Sequence, residues 1–198
     1  GSNIAADTIT AGQIAAGAIS TDELAANSVT ASKIAIGDFS VQANNPSFED
    51  GVTGWTLEGN WTISYNASIA RTGFWYAVST FTSPAAMRNT KLVATNPGEV
   101  FYVEAWIKYS GASGTGSYVR LTGLNASGVE VSNQAGNAVG TGNTSYTKSS
   151  GTFTVPAGVF TVKVEVVSDI TGGTCYVDDV RMIRASNSVL IEDGAVIA

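Results

Sequence analysis

Residues 101–109 read Phe101-Tyr102-Val103-Glu104-Ala105-Trp106-Ile107-Lys108-Tyr109. Alternation puts Phe101, Val103, Ala105, Ile107 and Tyr109 on one face. Tyr102, Glu104, Trp106 and Lys108 fall on the other, the period-two pattern of a strand that buries one side. The same reading holds at 118–122, where Val119 and Leu121 oppose Tyr118, Arg120 and Thr122. At 160–166, Phe160, Val162, Val164 and Val166 oppose Thr161, Lys163 and Glu165. Further candidate strands are 61–65, 75–79, 88–93, 152–155 and 175–183, with 118–124 and 160–167 as the full extents of those just named. Gly/Ser/Asn clusters at 111–117, 136–145 and 172–173 mark breaks between them. Eight or so short strands without a helical period predict an all-β domain, a β-sandwich of jelly-roll type.

Composition agrees and excludes several functions. Of 198 residues, 44% are hydrophobic and 13% charged, too apolar for disorder and too rich in Gly, Thr and Val for a helical bundle. A net charge of −6 without any basic cluster argues against nucleic acid and anionic membrane surfaces as partners. No apolar run approaches ~18 residues, so membrane insertion is not expected. Gly1-Ser2 reads as a cloning scar with no signal peptide behind it. The absence of histidine removes Ser-His-Asp and Cys-His catalysis and the commonest zinc ligand. The single cysteine, Cys175, excludes an intrachain disulfide and alternates with Val177 as a small buried residue would.

Ahead of the sandwich the period changes. Ile4, Ile9, Ile14, Ile19, Leu24, Val29, Ile34 and Phe39 are spaced five apart, and the following residue alternates between Ala and Thr or Ser. The unit is therefore a decapeptide: IAADTITAGQ, IAAGAISTDE, LAANSVTASK, IAIGDFSVQA. Neither helix, coiled coil nor plain strand repeats at five. One such chain cannot bury its apolar column, and a homotrimer would place Ile9, Ile14, Ile19, Leu24, Val29 and Ile34 on a shared axis. A flexible linker is the competing reading, but linkers do not keep an apolar register. Ile191 and Val196, five apart around Gly194-Ala195, resume the pattern. The predicted organisation is a shaft over 3–40, an inserted domain over 41–185, and shaft again over 186–198.

The runs ITAGQIAAGAISTDELAANSVTASKIA and LIEDGAVIA resemble the stalks of phage tail fibres, most of all the central tail-fibre or host-specificity proteins of long-tailed phages. That resemblance implies a homotrimer at the tail tip of a virion, with projecting domains that contact the bacterial surface. The inserted segment carries Asn45-Pro46-Ser47-Phe48-Glu49-Asp50-Gly51, Gly54-Trp55, Arg71-Thr72-Gly73, the 101–108 strand, 151–157 and Tyr176-Val177-Asp178-Asp179-Val180. In this order it is similar to the carbohydrate-binding jelly-roll modules appended to bacterial xylanases and cellulases. The implied function is glycan binding without catalysis. A ligand-free spacer of the fibre and an adhesion module of a secreted bacterial protein are the alternatives.

Two sets of candidate residues follow. Sugars offer an apolar ring face and a rim of hydroxyls, which aromatic and charged side chains match. Trp106, Tyr102, Glu104, Lys108, Tyr118, Arg120 and Trp75 are the glycan-binding candidates, against the alternative that each aromatic packs beneath a loop or partner strand. Trp55 and Trp61 are assigned to the core. In the resembled modules a structural calcium is held by the glutamate of the opening motif, an aspartate of the YVDDV motif and backbone carbonyls. This carries over to Glu49, Asp178 or Asp179, with carbonyls near Ser47 and Gly73. Oxygen ligands suit calcium, whereas a solvated acidic pair, or a bond to Arg71 or Arg181, is the alternative. A glycosidase pair is disfavoured, because in those modules these acids lie off the glycan face.

Overall fold

A computed structural model of the chain describes residues 41–80 and 85–185, and the backbone of 190–192 and 195–197. The decad residues proposed for the trimer axis lie outside the described residues. Near the C-terminus, β10 (Leu190–Glu192) and β11 (Ala195–Ile197) pair antiparallel, with Ile191 opposite Val196.

The domain between is all-β, and no helix occurs among the described residues. Its strands are β1 (Trp55–Leu57), β2 (Trp61–Tyr65), β3 (Trp75–Thr80), β4 (Ala85–Asn89), β5 (Val93–Ala94), β6 (Val100–Leu124), β7 (Glu130–Ala135), β8 (Thr147–Thr154) and β9 (Thr161–Arg184). β6 and β9 form the frame, antiparallel from Phe101 opposite Arg184 to Leu124 opposite Thr161. Their first-and-last halves, 100–110 and 174–184, are flanked by β8 on one side and by β3 and β2 on the other. The remaining halves are flanked by β7, and by β4, β5 and β1. Two layers result, joined where β6 and β9 bend, and their inner faces share one core. Phe101, Val103 and Ile107 of the first layer and Val119, Val164 and Val166 of the second are all fully buried in it. The sandwich expectation holds.

The bend corrects two predicted breaks. The 111–117 and 172–173 clusters lie inside β6 and β9, not between strands. The ladder shifts register between Ser110 and Ser113 and again around Gly114, as β-bulges do where a sheet turns a corner. Gly116 shows why glycine is needed there. Its φ is 111°, and a Cβ would strike the Val139 carbonyl. Similarly, the predicted 88–93 strand is really Ala85–Asn89. It ends where Asn89 turns its amide to the Asn44 backbone, accepting at 3.1 Å and donating at 2.9 Å.

The opening motif ties the domain's ends together. Val41 bridges to Ile183, Gln42 donates to Met182, and the Val180 N–H reaches the Pro46 carbonyl at 2.8 Å. Phe48 is fully buried against Trp55, 5.2 Å between rings, and the Trp55 indole donates to Asn45 O. Trp55 and Trp61 are core residues, as assigned.

Candidate functional site

The side chains that alternation turns outward on the first half of β6 meet those of its neighbours on one surface. Trp106 lies opposite Lys148 of β8 and Asp178 of β9, and Lys108 lies opposite Tyr176. At one end, the Tyr102 hydroxyl donates to Glu104 at 2.9 Å, with Lys148 at 3.6 Å and Arg181 at 3.7 Å from the same carboxylate. In the centre the Arg71 guanidinium stacks 3.9 Å from the Trp106 ring centroid. At the far end Lys108 sits among tyrosines, 4.4 Å from the Tyr146 ring and 5.6 Å from Tyr176, which in turn packs on Tyr76 at 5.8 Å. A cavity of about 340 Å³ opens there, lined by Ile69, Lys108, Ser110, Thr144 and Tyr176 among others.

Of the seven glycan-binding candidates, the structure brings four together: Tyr102, Glu104, Trp106 and Lys108. Tyr118 and Arg120 belong to the second half of β6, so they face outward from the other layer. There Arg120 is engaged with Glu165 at 2.7 Å. Trp75 points to the inner side, packed against the core and edge-on to Tyr65. Three tyrosines of this face, Tyr76, Tyr146 and Tyr176, were not among the candidates. For Tyr176 the signal was present: Cys175 and Val177 point inward and are fully buried, so the residue between them must point out. Burial pushes the Cys175 thiol up to about 12, which leaves it an inert core group.

Segment 66–75 folds down beside this surface, and the acids expected to hold calcium instead hold that segment. Asp178 accepts the backbone N–H groups of Arg71 and Thr72 at 2.8 and 3.0 Å through one oxygen, and that of Asp179 at 2.7 Å through the other. Glu49 accepts from Phe74 and Trp75 at 2.9 and 3.0 Å. Asp179 pairs with Arg71 and accepts from the Thr72 hydroxyl at 2.8 Å. Gly73 fits because its φ is 61° and a Cβ would strike the Glu49 carboxylate. Asp179 itself has φ 49°, since it and Val180 together oppose Ala105 in a bulge.

Calcium requires six to eight oxygen ligands. Here N–H, hydroxyl and guanidinium donors are aimed at both oxygens of Asp178 and Asp179 and at one oxygen of Glu49, and no group of three or more His, Cys, Asp or Glu placed to hold a metal occurs among the described residues. As arranged, the residues do not fit the ion, and the alternative of a bond to Arg71 is the one the geometry favours. A chelator is therefore expected to leave the melting temperature unchanged. Arg71→Ala, which removes the cation paired with the buried Asp179 carboxylate, should cost about 1–3 kcal/mol. A chelator-induced fall reversed by calcium would contradict this. Burial, reinforced by the charge of Asp179, pushes Asp178 up to about 6 despite its N–H partners. A carboxyl raised on folding binds its proton more tightly in the native state, so its contribution to stability falls as pH rises from about 4 to about 6.

No protein-family model matches this sequence, and no curated protein is significantly similar to it. Solved structures share the fold at low identity. The tandem CBM22-1–CBM22-2 domain of Paenibacillus barcinonensis Xyn10C is 17% identical with a TM-score of 0.60, over 78% of this chain and 49% of that one. Family 16 carbohydrate-binding module-2 is 22% identical with a TM-score of 0.54, over 72% of this chain and 99% of the module. The enzymatically active domain of bacteriophage CBA120 tailspike protein 4 is 17% identical with a TM-score of 0.58, over 73% of this chain. The present chain spans about a fifth of that tailspike chain, 21%. The sandwich thus has the jelly-roll fold of carbohydrate-binding modules, which also occurs in a phage tailspike.

Proposed function

We propose that the sandwich is a non-catalytic carbohydrate-binding module that meets a bacterial surface glycan through the outer face of its first layer. On this reading the chain belongs to a trimeric phage tail fibre and uses that face in host attachment. The observation that carries the proposal is the surface itself. The Tyr176 ring, Lys108 and the hydroxyls of Ser110 and Thr144 converge on a cavity, and Tyr102 and Glu104 of the same strand, with Lys148 of β8 beside them, continue the face. Such an array offers apolar cover for a sugar ring and hydrogen bonds for its rim. The fold shared with carbohydrate-binding modules supports it, and the decad repeats ahead of the module support the fibre.

A binding role also suits the carboxylates. Glu104 is held by Tyr102, Lys148 and Arg181, and Asp178 by backbone N–H groups. A glycosidase instead needs one acid free to protonate the leaving oxygen and a second free to attack or to activate water.

The test is a glycan array on the intact chain with Tyr176→Ala as comparator. Covering one sugar face with a ring of this size contributes about 1.5–3 kcal/mol, so the variant should bind about 10- to 100-fold more weakly. Tyr176 is only half-buried, and its loss should lower the melting temperature less than Val177→Ala, which opens a cavity in the core. Unchanged glycan binding by Tyr176→Ala contradicts the site. Binding of no glycan by the wild-type chain favours a spacer.

A further inference from the structure

Lys108 differs from most other cations of the sandwich. Arg71, Arg88, Arg120, Lys148, Lys163, Arg181 and Arg184 each have a carboxylate within 4.0 Å. Among the described residues Lys108 and Lys91 have none, and Lys108 lines the cavity. An ammonium group has three N–H donors. One of them goes to the Ile69 carbonyl at 2.7 Å, and the tyrosine rings of 146 and 176 cover part of the rest. The opposing charge that acts on it is Asp178, on the adjacent strand. Its two oxygens are turned to the N–H groups of Arg71, Thr72 and Asp179. Desolvation pulls Lys108 below the ordinary lysine range, and Asp178 offsets this only in part. A charge partly withdrawn from water and lacking an opposite charge beside it is unfavourable, and an arriving anion relieves it.

The cavity that Lys108 lines holds about 340 Å³, at the low end of small-molecule sites. Ile69 and Tyr176 supply apolar walls, while Ser110 and Thr144 bring hydroxyls to the same space. We infer that this cavity takes an acidic sugar residue at a chain end or branch, its carboxylate paired with the Lys108 ammonium. The inference rests on the carbohydrate-binding reading and narrows it to anionic glycans.

The test uses uronic-acid-containing oligosaccharides from bacterial polysaccharides, printed beside the same oligosaccharides after carboxyl reduction to the neutral hexose. The intact chain should bind the acidic member about tenfold or more tightly, with the preference shrinking as salt rises. Lys108→Met, which keeps the stem and removes the charge, should bring the acidic-to-neutral ratio to about one. Lys108→Arg should keep much of the preference. Equal or better binding of the reduced members overturns the inference and leaves carbohydrate binding standing. So does an acidic preference that survives Lys108→Met. Should Lys108→Met fail to fold, Lys108→Gln is read in its place by the same criterion. If no member of either set binds, both the inference and the reading beneath it fail.

Discussion

Glu165→Ala is expected to destabilise the sandwich by about 3–5 kcal/mol, as removal of one partner from a buried ionic cluster does. Glu165 is fully buried on the outer face of the second layer, beneath cations from three directions. Arg88 and Arg120 lie directly opposite it on the two flanking strands, and Lys163 stands two residues before it on its own strand. Its Oε1 is 3.2 Å from Arg88 and 3.0 Å from Lys163, and its Oε2 is 2.7 Å from Arg120. Glu58 and Glu130 complete the balance from the rim, Glu130 at 2.9 Å from Lys163. Truncating the central carboxylate leaves three cations facing one another at short range with two partly exposed acids to answer them. Truncating Glu58, which is about half exposed, should cost less than about 1 kcal/mol. Chemical denaturation of both variants measures the difference. A Glu165→Ala protein as stable as the Glu58→Ala protein would show that solvent already carries the cluster.

The second large effect is on avidity. The decad repeats place one apolar residue in five along the sequence. On the trimer proposal, Ile14→Asp or Leu24→Asp puts charges on a shared axis where they lack partners. Such variants should be monomers, while the sandwich, which has a core of its own, stays folded. Three modules held on one shaft can gain roughly 10²–10⁴ over one when the target surface is dense. The monomer should therefore keep its affinity for a soluble oligosaccharide and lose retention on cells. Light scattering reports the first step and cell binding the second. An unmutated chain that is monomeric, or equal retention by both forms, contradicts the proposal.

Period-two alternation made the core legible before any coordinates. Phe101, Val103, Ala105 and Ile107 are buried as their spacing requires, and Tyr102, Glu104, Trp106 and Lys108 share the opposite face. What alternation alone could not supply was which layer each outward face belongs to. β6 runs through both layers, so Tyr118 and Arg120 face outward as expected, yet from the other side of the sandwich. Two of the glycine clusters, 111–117 and 172–173, misled because a bulged corner and a loop need the same residue. Partner choice was the other gap. Asp178 and Asp179 were recognisable as a pair, but the pull of backbone N–H groups and of Arg71 depends on segment 66–75 folding against them, which no local pattern encodes. Tyr146, inside a Gly/Ser/Asn-rich stretch, carried no periodicity from which its place over Lys108 could be read.

The most direct test of the binding face is the position of a bound sugar. A crystal structure of the intact chain with an oligosaccharide selected on the array should show a ring in the cavity beside Tyr176 and Lys108, with the remainder running toward Trp106 and Glu104. A sugar seated on the Arg88–Glu165–Arg120 face, or on segments remote from Lys108, would contradict the account.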